Sequence, residues 1–214
     1  MNKTKDNKEK IIPAAKFDFL TPLFDLGCSI IGLGEDYRKF IINNSKIPNK
    51  SINVLDAGCG TGSLAVDLKL KNPKVKLYTI DADPRILKIA NNKFKENNLE
   101  INIKKSLIQK LLFKDNYFDV VYNSLVFHHL NTEIKTATIK EIYRVLKKGG
   151  IFLLIDFGKP KNRFFALGPW FATIFEEGYD NYKGNIVKML KNEGFKIAEI
   201  RRYKYDIYFL KVIK

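Results

Sequence analysis

Val54-Leu55-Asp56-Ala57-Gly58-Cys59-Gly60-Thr61-Gly62 decides how the rest of this chain is read. Its apolar start continues the β-branched run from Ile52. Leu64, Ala65 and Leu68 follow at helical spacing over Thr61 to Leu70. A strand therefore enters the loop and a helix leaves it. Glycines allow the tight turn and let a ligand approach the backbone, and the helix N-terminus offers N–H groups to an anionic group. The next strand, Val75 to Ile80, runs into Asp81, nineteen residues after Gly62. A carboxylate there can take both hydroxyls of a ribose. A turn needing glycine only for its shape accounts for one or two of these glycines, not for three in alternation together with Asp81.

Working outward, strands continue to alternate with helices. Pro84 opens a helix running to Phe94, with proline in the favoured first turn. Ile101 to Ile103 is a short third strand and Phe118 to Tyr122 a strong fourth. Thr136 to Leu146 forms a helix that Lys147-Lys148-Gly149-Gly150 is expected to close, with Ile151 to Ile155 as a fifth, buried strand. Tyr182 to Asn192 is a helix ended by Gly194. Ile197 to Tyr203 and Tyr205 to Val212 are joined too tightly to be anything but antiparallel. The expected fold is α/β: a Rossmann-like, doubly wound, seven-stranded, mostly parallel sheet with one antiparallel strand near an edge. One domain over residues 51–214 is preceded by a tail (1–10) and a helical cap (11–50). The long aromatic segment 158–184, leaving the fifth strand, is expected to act as a lid.

Composition excludes several classes. The chain has 214 residues, 45% hydrophobic and 29% charged, which is ordinary globular usage. Two cysteines exclude a disulfide scaffold and a cysteine-built zinc site, and suit a reducing cytoplasm. The most apolar run, Phe164 to Phe175, is too short to span a membrane and contains Gly168 and Pro169. No secretory signal opens the sequence. The net charge of +15 points to nucleic acid or to an anionic membrane surface. Against nucleic acid, 32 of the 38 basic residues are Lys and only six are Arg, the residue best suited to base edges and phosphates. Abundant Lys, Asn and Ile together read as AT-rich codon usage.

The loop also selects among nucleoside ligands. A dinucleotide site calls for a third glycine where Ser63 stands, and Asp56 at the strand tip repels a pyrophosphate. A ligand with an ammonium, one carboxylate and a ribose suits a site of mixed charge. On these residues the chain resembles the class I S-adenosylmethionine-dependent methyltransferases. Four further stretches match in order: Ile80-Asp81-Ala82-Asp83-Pro84; Asn116-Tyr117-Phe118-Asp119-Val120-Val121; Phe127-His128-His129-Leu130; and Glu141 to Gly150. The likeness covers about Ile52 to Phe157 and is nearest to the small-molecule group that includes quinone-biosynthesis methyltransferases.

The resemblance implies S-adenosylmethionine as cofactor, leaving as S-adenosylhomocysteine. It places the backbone of Gly58, Cys59 and Gly60 against the methionine portion and Asp56 beneath its amino-acid end. Asp81 would hold the ribose hydroxyls, and Ala82 would pack on the adenine. Thr61 in the loop and Asn123 at the tip of the fourth strand complete the expected cofactor set. Where the family often has an acid for the adenine amino group, this chain has Ser106, followed by Leu107. Lys148 replaces a customary proline.

Three residues are candidates for the chemistry. His128 and His129, the only histidines, follow the fourth strand, and Asp156 lies at the same end of the fifth. That edge is the ligand crevice of a doubly wound sheet. A histidine beside a carboxylate can deprotonate a hydroxyl or an acidic carbon; capping a loop is the structural alternative. Adjacent residues point different ways, and His129 is placed ahead of His128. Phe164, Phe165, Trp170, Phe171, Phe175 and Tyr179 read either as an apolar acceptor pocket or as a helix core face. Cys59, at a helix N-terminus, reads as a small residue rather than as a redox thiol. No metal-ligand cluster stands out. The leading function is methyl transfer to a small, partly apolar or aromatic acceptor, with peripheral contact to an anionic membrane as a further expectation and the oligomeric state open. RNA or protein methylation, a non-catalytic nucleoside-binding module and a dinucleotide oxidoreductase are the alternatives.

Overall fold

Alternate residues of the central strands are apolar towards opposite faces, and both faces are covered. In the computed structural model, which describes residues 32–159 and 179–214, seven strands form one sheet in the order β3-β2-β1-β4-β5-β7-β6. They are β1 (Asn53–Ala57), β2 (Lys76–Asp81), β3 (Asn102–Lys105), β4 (Phe118–Ser124), β5 (Leu146–Phe157), β6 (Lys196–Arg202) and β7 (Ile207–Ile213). One row of paired residues runs Tyr78, Leu55, Val121, Phe152, Val212 across β2, β1, β4, β5 and β7. Only β7 is antiparallel to its neighbours, β5 and β6. The expected tail, the first part of the expected cap and most of the expected lid lie outside the described residues. So do Phe164, Phe165, Trp170, Phe171, Phe175 and the ring of Tyr179.

The period-two pattern of the strands separates two cores. Val54, Leu77, Val120, Leu153 and Ile155 face α1 (Glu35–Ser45), α2 (Ser63–Lys71) and α3 (Pro84–Glu96) through Ile41, Ala65, Leu68, Ala90 and Phe94. Leu55, Ile80, Val121, Phe152 and Leu154 face α4 (Thr132–Val145) and α6 (Asn185–Asn192) through Ile139, Ile142, Ile186 and Leu190. Phe118, Leu55 and Phe152 are wholly buried, and each such side chain contributes about 1.5–3 kcal/mol of burial free energy.

Local chemistry sets the helix starts. Asp83 caps α3 by accepting from the Arg85 amide at 2.8 Å, and Pro84 follows at the first position. Asn131 caps α4 by accepting from the Ile134 amide at 2.9 Å. α4 starts at Thr132, four residues before the expected Thr136. α4 stops at Val145, and Leu146 already begins β5, so Lys147-Lys148-Gly149-Gly150 does not close the helix. The Gly149 amide donates to the Lys214 carbonyl and the Lys214 amide to Gly150, both at 3.0 Å, so pairing with the last residue draws this stretch into the sheet. The expected single helix over 182–192 is divided by Gly184, at φ +76, into α5 (Tyr179–Lys183) and α6. Among the described residues no helix is long and apolar enough to cross a membrane.

Strand order reverses between β1 and β4. Their connections leave on opposite faces, and a crevice opens beyond their C-terminal ends. All the candidate residues lie at that edge.

Candidate active site

The glycine loop is held to the tip of β2. The Gly58 and Cys59 amides both donate to the Ile80 carbonyl at 2.9 Å, and the Gly60 amide donates to Asp81 Oδ2 at 3.1 Å. These amides are thus engaged within the chain, which leaves carbonyl oxygens and Cα atoms as the loop's surface for a methionine portion. Gly62 (φ +80) closes on α3: a Cβ there would meet the Phe94 ring at 2.7 Å. Gly60 (φ +53) is the opposite case, with nothing within 4 Å of an added Cβ. Its open side is a cradle that any side chain would fill.

Buried acceptors surround the cradle. Asp56 is 2% exposed, and its Oδ2 has no hydrogen-bond partner. Burial, and after it the neighbouring Asp81, push its carboxyl up to about 7. Asn123 is wholly buried; its Nδ2 donates to the Ala57 carbonyl at 2.6 Å, and its Oδ1 is unpartnered. Unmet buried acceptors are costly, and an ammonium answers both. Asp81 Oδ1 accepts from the Asp83 amide at 3.0 Å. Burial raises the Asp81 carboxyl, and the amides of Asp83, Gly60 and Ala82 oppose that shift. The residues present therefore fit a cofactor carrying an ammonium and a ribose.

Ser106 is placed as expected but committed elsewhere. Its amide donates to the Asp81 carbonyl at 3.0 Å, and its hydroxyl reaches the carbonyls of Leu107 (3.3 Å) and Lys110 (3.2 Å). Its remaining capacity is an oxygen lone pair, beside half-buried Leu107. Cys59 is buried, and burial, then Asp56 and Asp81, push its thiol well above the usual range.

On the other side of the crevice, β4 runs into a 3₁₀ turn, Phe127–His129. Leu125 joins them in a left-handed conformation, φ +57, which costs a branched side chain about 1–2 kcal/mol. Asp156, at the end of β5, holds the turn against that strain. Its Oδ2 accepts from the amides of Phe127 (2.7 Å) and His128 (3.4 Å), and its Oδ1 from the Phe157 amide (2.7 Å). His128 Nδ1 lies 2.7 Å from the same Oδ1. A carboxylate there keeps the proton on Nδ1 and leaves the lone pair on Nε2, the arrangement of an oriented base. His129 is different. Burial, then His128, bring its imidazole down to about 4, against the attraction of Asp156. The rings stand 3.9 Å apart, centre to centre. Of the two histidines, His128 is the one whose ring nitrogen touches the Asp156 carboxylate.

Two contacts had no signal in the sequence. The Tyr37 hydroxyl of α1 is 2.8 Å from Ser124 Oγ, bringing α1 over the tip of β4. α5 packs against the 3₁₀ turn and the end of β5, where Asn181 donates to the Phe157 carbonyl, and Asp180 ties it to Thr132 at the start of α4. Each joins residues far apart in sequence, where no local pattern exists to be read.

A family profile described as a methyltransferase domain matches residues 54–150, from β1 to the start of β5. The chain is 28% identical over 180 residues to the "Ubiquinone/menaquinone biosynthesis C-methyltransferase UbiE" of Stutzerimonas stutzeri, covering 83% of this chain and 63% of that protein. It thus spans less than two thirds of that relative's length. It is 29% identical over 205 residues to the "Demethylmenaquinone methyltransferase" of Lactobacillus johnsonii, covering 84% of this chain and 83% of the relative. Among solved structures, phosphoethanolamine N-methyltransferase 2 of Haemonchus contortus in complex with S-adenosyl-L-methionine superposes with a TM-score of 0.71 at 16% identity. That match covers 95% of this chain and 59% of the other, and it speaks to the fold alone. Glycine cradle, buried acceptors and strand order agree with these comparisons: residues 54–150 match a methyltransferase domain, and the chain is similar to quinone-biosynthesis methyltransferases.

Proposed function

We propose that this protein transfers a methyl group from S-adenosylmethionine to a small hydroxylated, partly aromatic acceptor, with His128 as the base that Asp156 orients. The observation that carries the reading is the 2.7 Å contact between His128 Nδ1 and Asp156 at the crevice edge. Bound S-adenosylmethionine supplies a methyl group already activated on a sulfonium sulfur. The chain's own work is then alignment and proton removal. Asp56 and Asn123 receive the ammonium, Asp81 the ribose hydroxyls, and the Gly60 cradle admits the ligand between them. His128 Nε2 takes the proton of the acceptor hydroxyl and makes its oxygen or conjugated carbon nucleophilic. Asp156 stabilises the resulting imidazolium, while the neutral ring of His129 adds no competing charge.

The acceptor class draws on the names of the two bacterial relatives, which refer to quinone rings. Action in the cytoplasm, at an anionic membrane surface where such lipid-soluble rings reside, accords with the basic composition. The test uses 1,4-dihydroxynaphthalene, kept reduced, as acceptor and compares wild type with His128→Asn, whose amide can still donate to Asp156. Methyl transfer should fall by about 10²–10⁴-fold with S-adenosylhomocysteine affinity unchanged. An unaltered rate in the variant refutes the assignment of the base.

A further inference from the structure

Asn181 is 2% exposed, and its side chain is half satisfied. Nδ2 donates to the Phe157 carbonyl at 2.9 Å, while Oδ1 is buried without a partner. The amide cannot be turned over to repair this, because rotation would set its oxygen against the Phe157 carbonyl. Nor can the residue easily move. Its neighbour Asp180 accepts from Thr132 Oγ1 at 2.6 Å and Asn185 Nδ2 at 3.1 Å, and lies 3.9 Å from the ammonium of Lys135, which is wholly buried. α5 is thus clamped between the start of α4 and the end of β5.

The location is as telling as the missing bond. Phe157 follows Asp156 directly, and its ring meets the His128 ring edge-on with centroids 5.0 Å apart. Asn181 is therefore joined to the His128–Asp156 pair through Phe157, which touches both. The unmet Asp56 and Asn123 oxygens belong to the cofactor side. A rigid, buried carbonyl oxygen with no partner among the described residues is complementary to a donor that arrives from outside.

We infer that Asn181 is an acceptor-binding residue whose Oδ1 receives a hydrogen bond from a second hydroxyl or N–H of the methyl acceptor. The acceptor class thereby narrows to molecules with two donors, one deprotonated by His128 and one held by Asn181. This rests on the methyl-transfer reading above. It makes Asn181 a determinant of specificity, since a site built to bond a donor rejects an analogue lacking it.

The test measures kcat/KM for 1,4-dihydroxynaphthalene, with two donors, and 4-methoxy-1-naphthol, with one, in wild type, Asn181→Leu and Asn181→Ala. Wild type should favour the diol by about tenfold or more. In both variants the preference should collapse to within about twofold, with S-adenosylhomocysteine affinity unchanged. A merely structural Asn181 would lower both rates together and keep their ratio, and that result overturns the inference. Thermal melts show whether the leucine variant folds; if it does not, the alanine variant gives the ratio. Absence of transfer to either naphthol by wild type overturns the methyl-transfer reading and this inference with it, whereas turnover with an unchanged ratio overturns the inference alone.

Discussion

Replacing Asp56 with Asn should stabilise the ligand-free protein, and by more at high pH than at low. In the fold this carboxyl sits at about 7 against an ordinary 3.8, because burial and then Asp81 disfavour its ionised form. A carboxyl raised in this way stabilises the fold fully below the unfolded value of 3.8 and loses that contribution as pH rises through 7. Between pH 5 and pH 7 the unfolded chain is ionised and the folded one largely is not, so each pH unit costs about 1.4 kcal/mol. Asparagine has no such penalty, and the gain from the substitution should therefore grow by about 2–3 kcal/mol between pH 5 and pH 8. For a chain of this length that corresponds to roughly 5–10 °C in Tm. Melts followed by circular dichroism at the two pH values measure the difference directly. The same variant should bind S-adenosylhomocysteine about tenfold or more weakly at pH 8, having lost the charge that faces the ammonium. An equal stability change at pH 5 and pH 8, or a loss at pH 8, would refute the placement of a buried, unpartnered carboxyl at the end of β1.

Two further outcomes follow from the same geometry. Asp156→Asn sets an NH₂ group among donors that now share two carboxylate oxygens, so stability should fall by about 1–3 kcal/mol and methyl transfer by about 10²-fold, as chemical denaturation and a radiolabel assay would show. Cys59 should react with a thiol reagent far more slowly in the folded protein than in urea, because burial and two carboxyls raise its thiol; equal rates would contradict that environment.

What could be read from the sequence follows how local the cause is. β1, β4 and β5 are buried on both faces and spell themselves as apolar runs, and the glycine loop carries its geometry in adjacent residues. The start of α3 was legible through Pro84, whereas α4 starts at Thr132, four residues before the expected Thr136, under the Asn131 cap. The end of α4 was not legible, since what draws Lys147 to Gly150 into β5 is a pairing with Lys214. Edge strands β3 and β6 are mostly exposed and carry little apolar signal. Both histidines and Asp156 stood out in the sequence, whereas the proposal of His128 as the base depends on a contact across 28 residues. Asn181 was invisible because its meaning lies in an oxygen left without a partner, and only packing can show that.

The most direct test of the account is calorimetric titration of S-adenosylmethionine and S-adenosylhomocysteine into the wild-type protein and Asp81→Ala. Asp81 joins the glycine loop to β2 and offers the carboxylate at the ribose position. The account predicts micromolar binding of both ligands by wild type and loss of both in the variant. Absence of binding by the wild type, or equal binding by the two proteins, would contradict it.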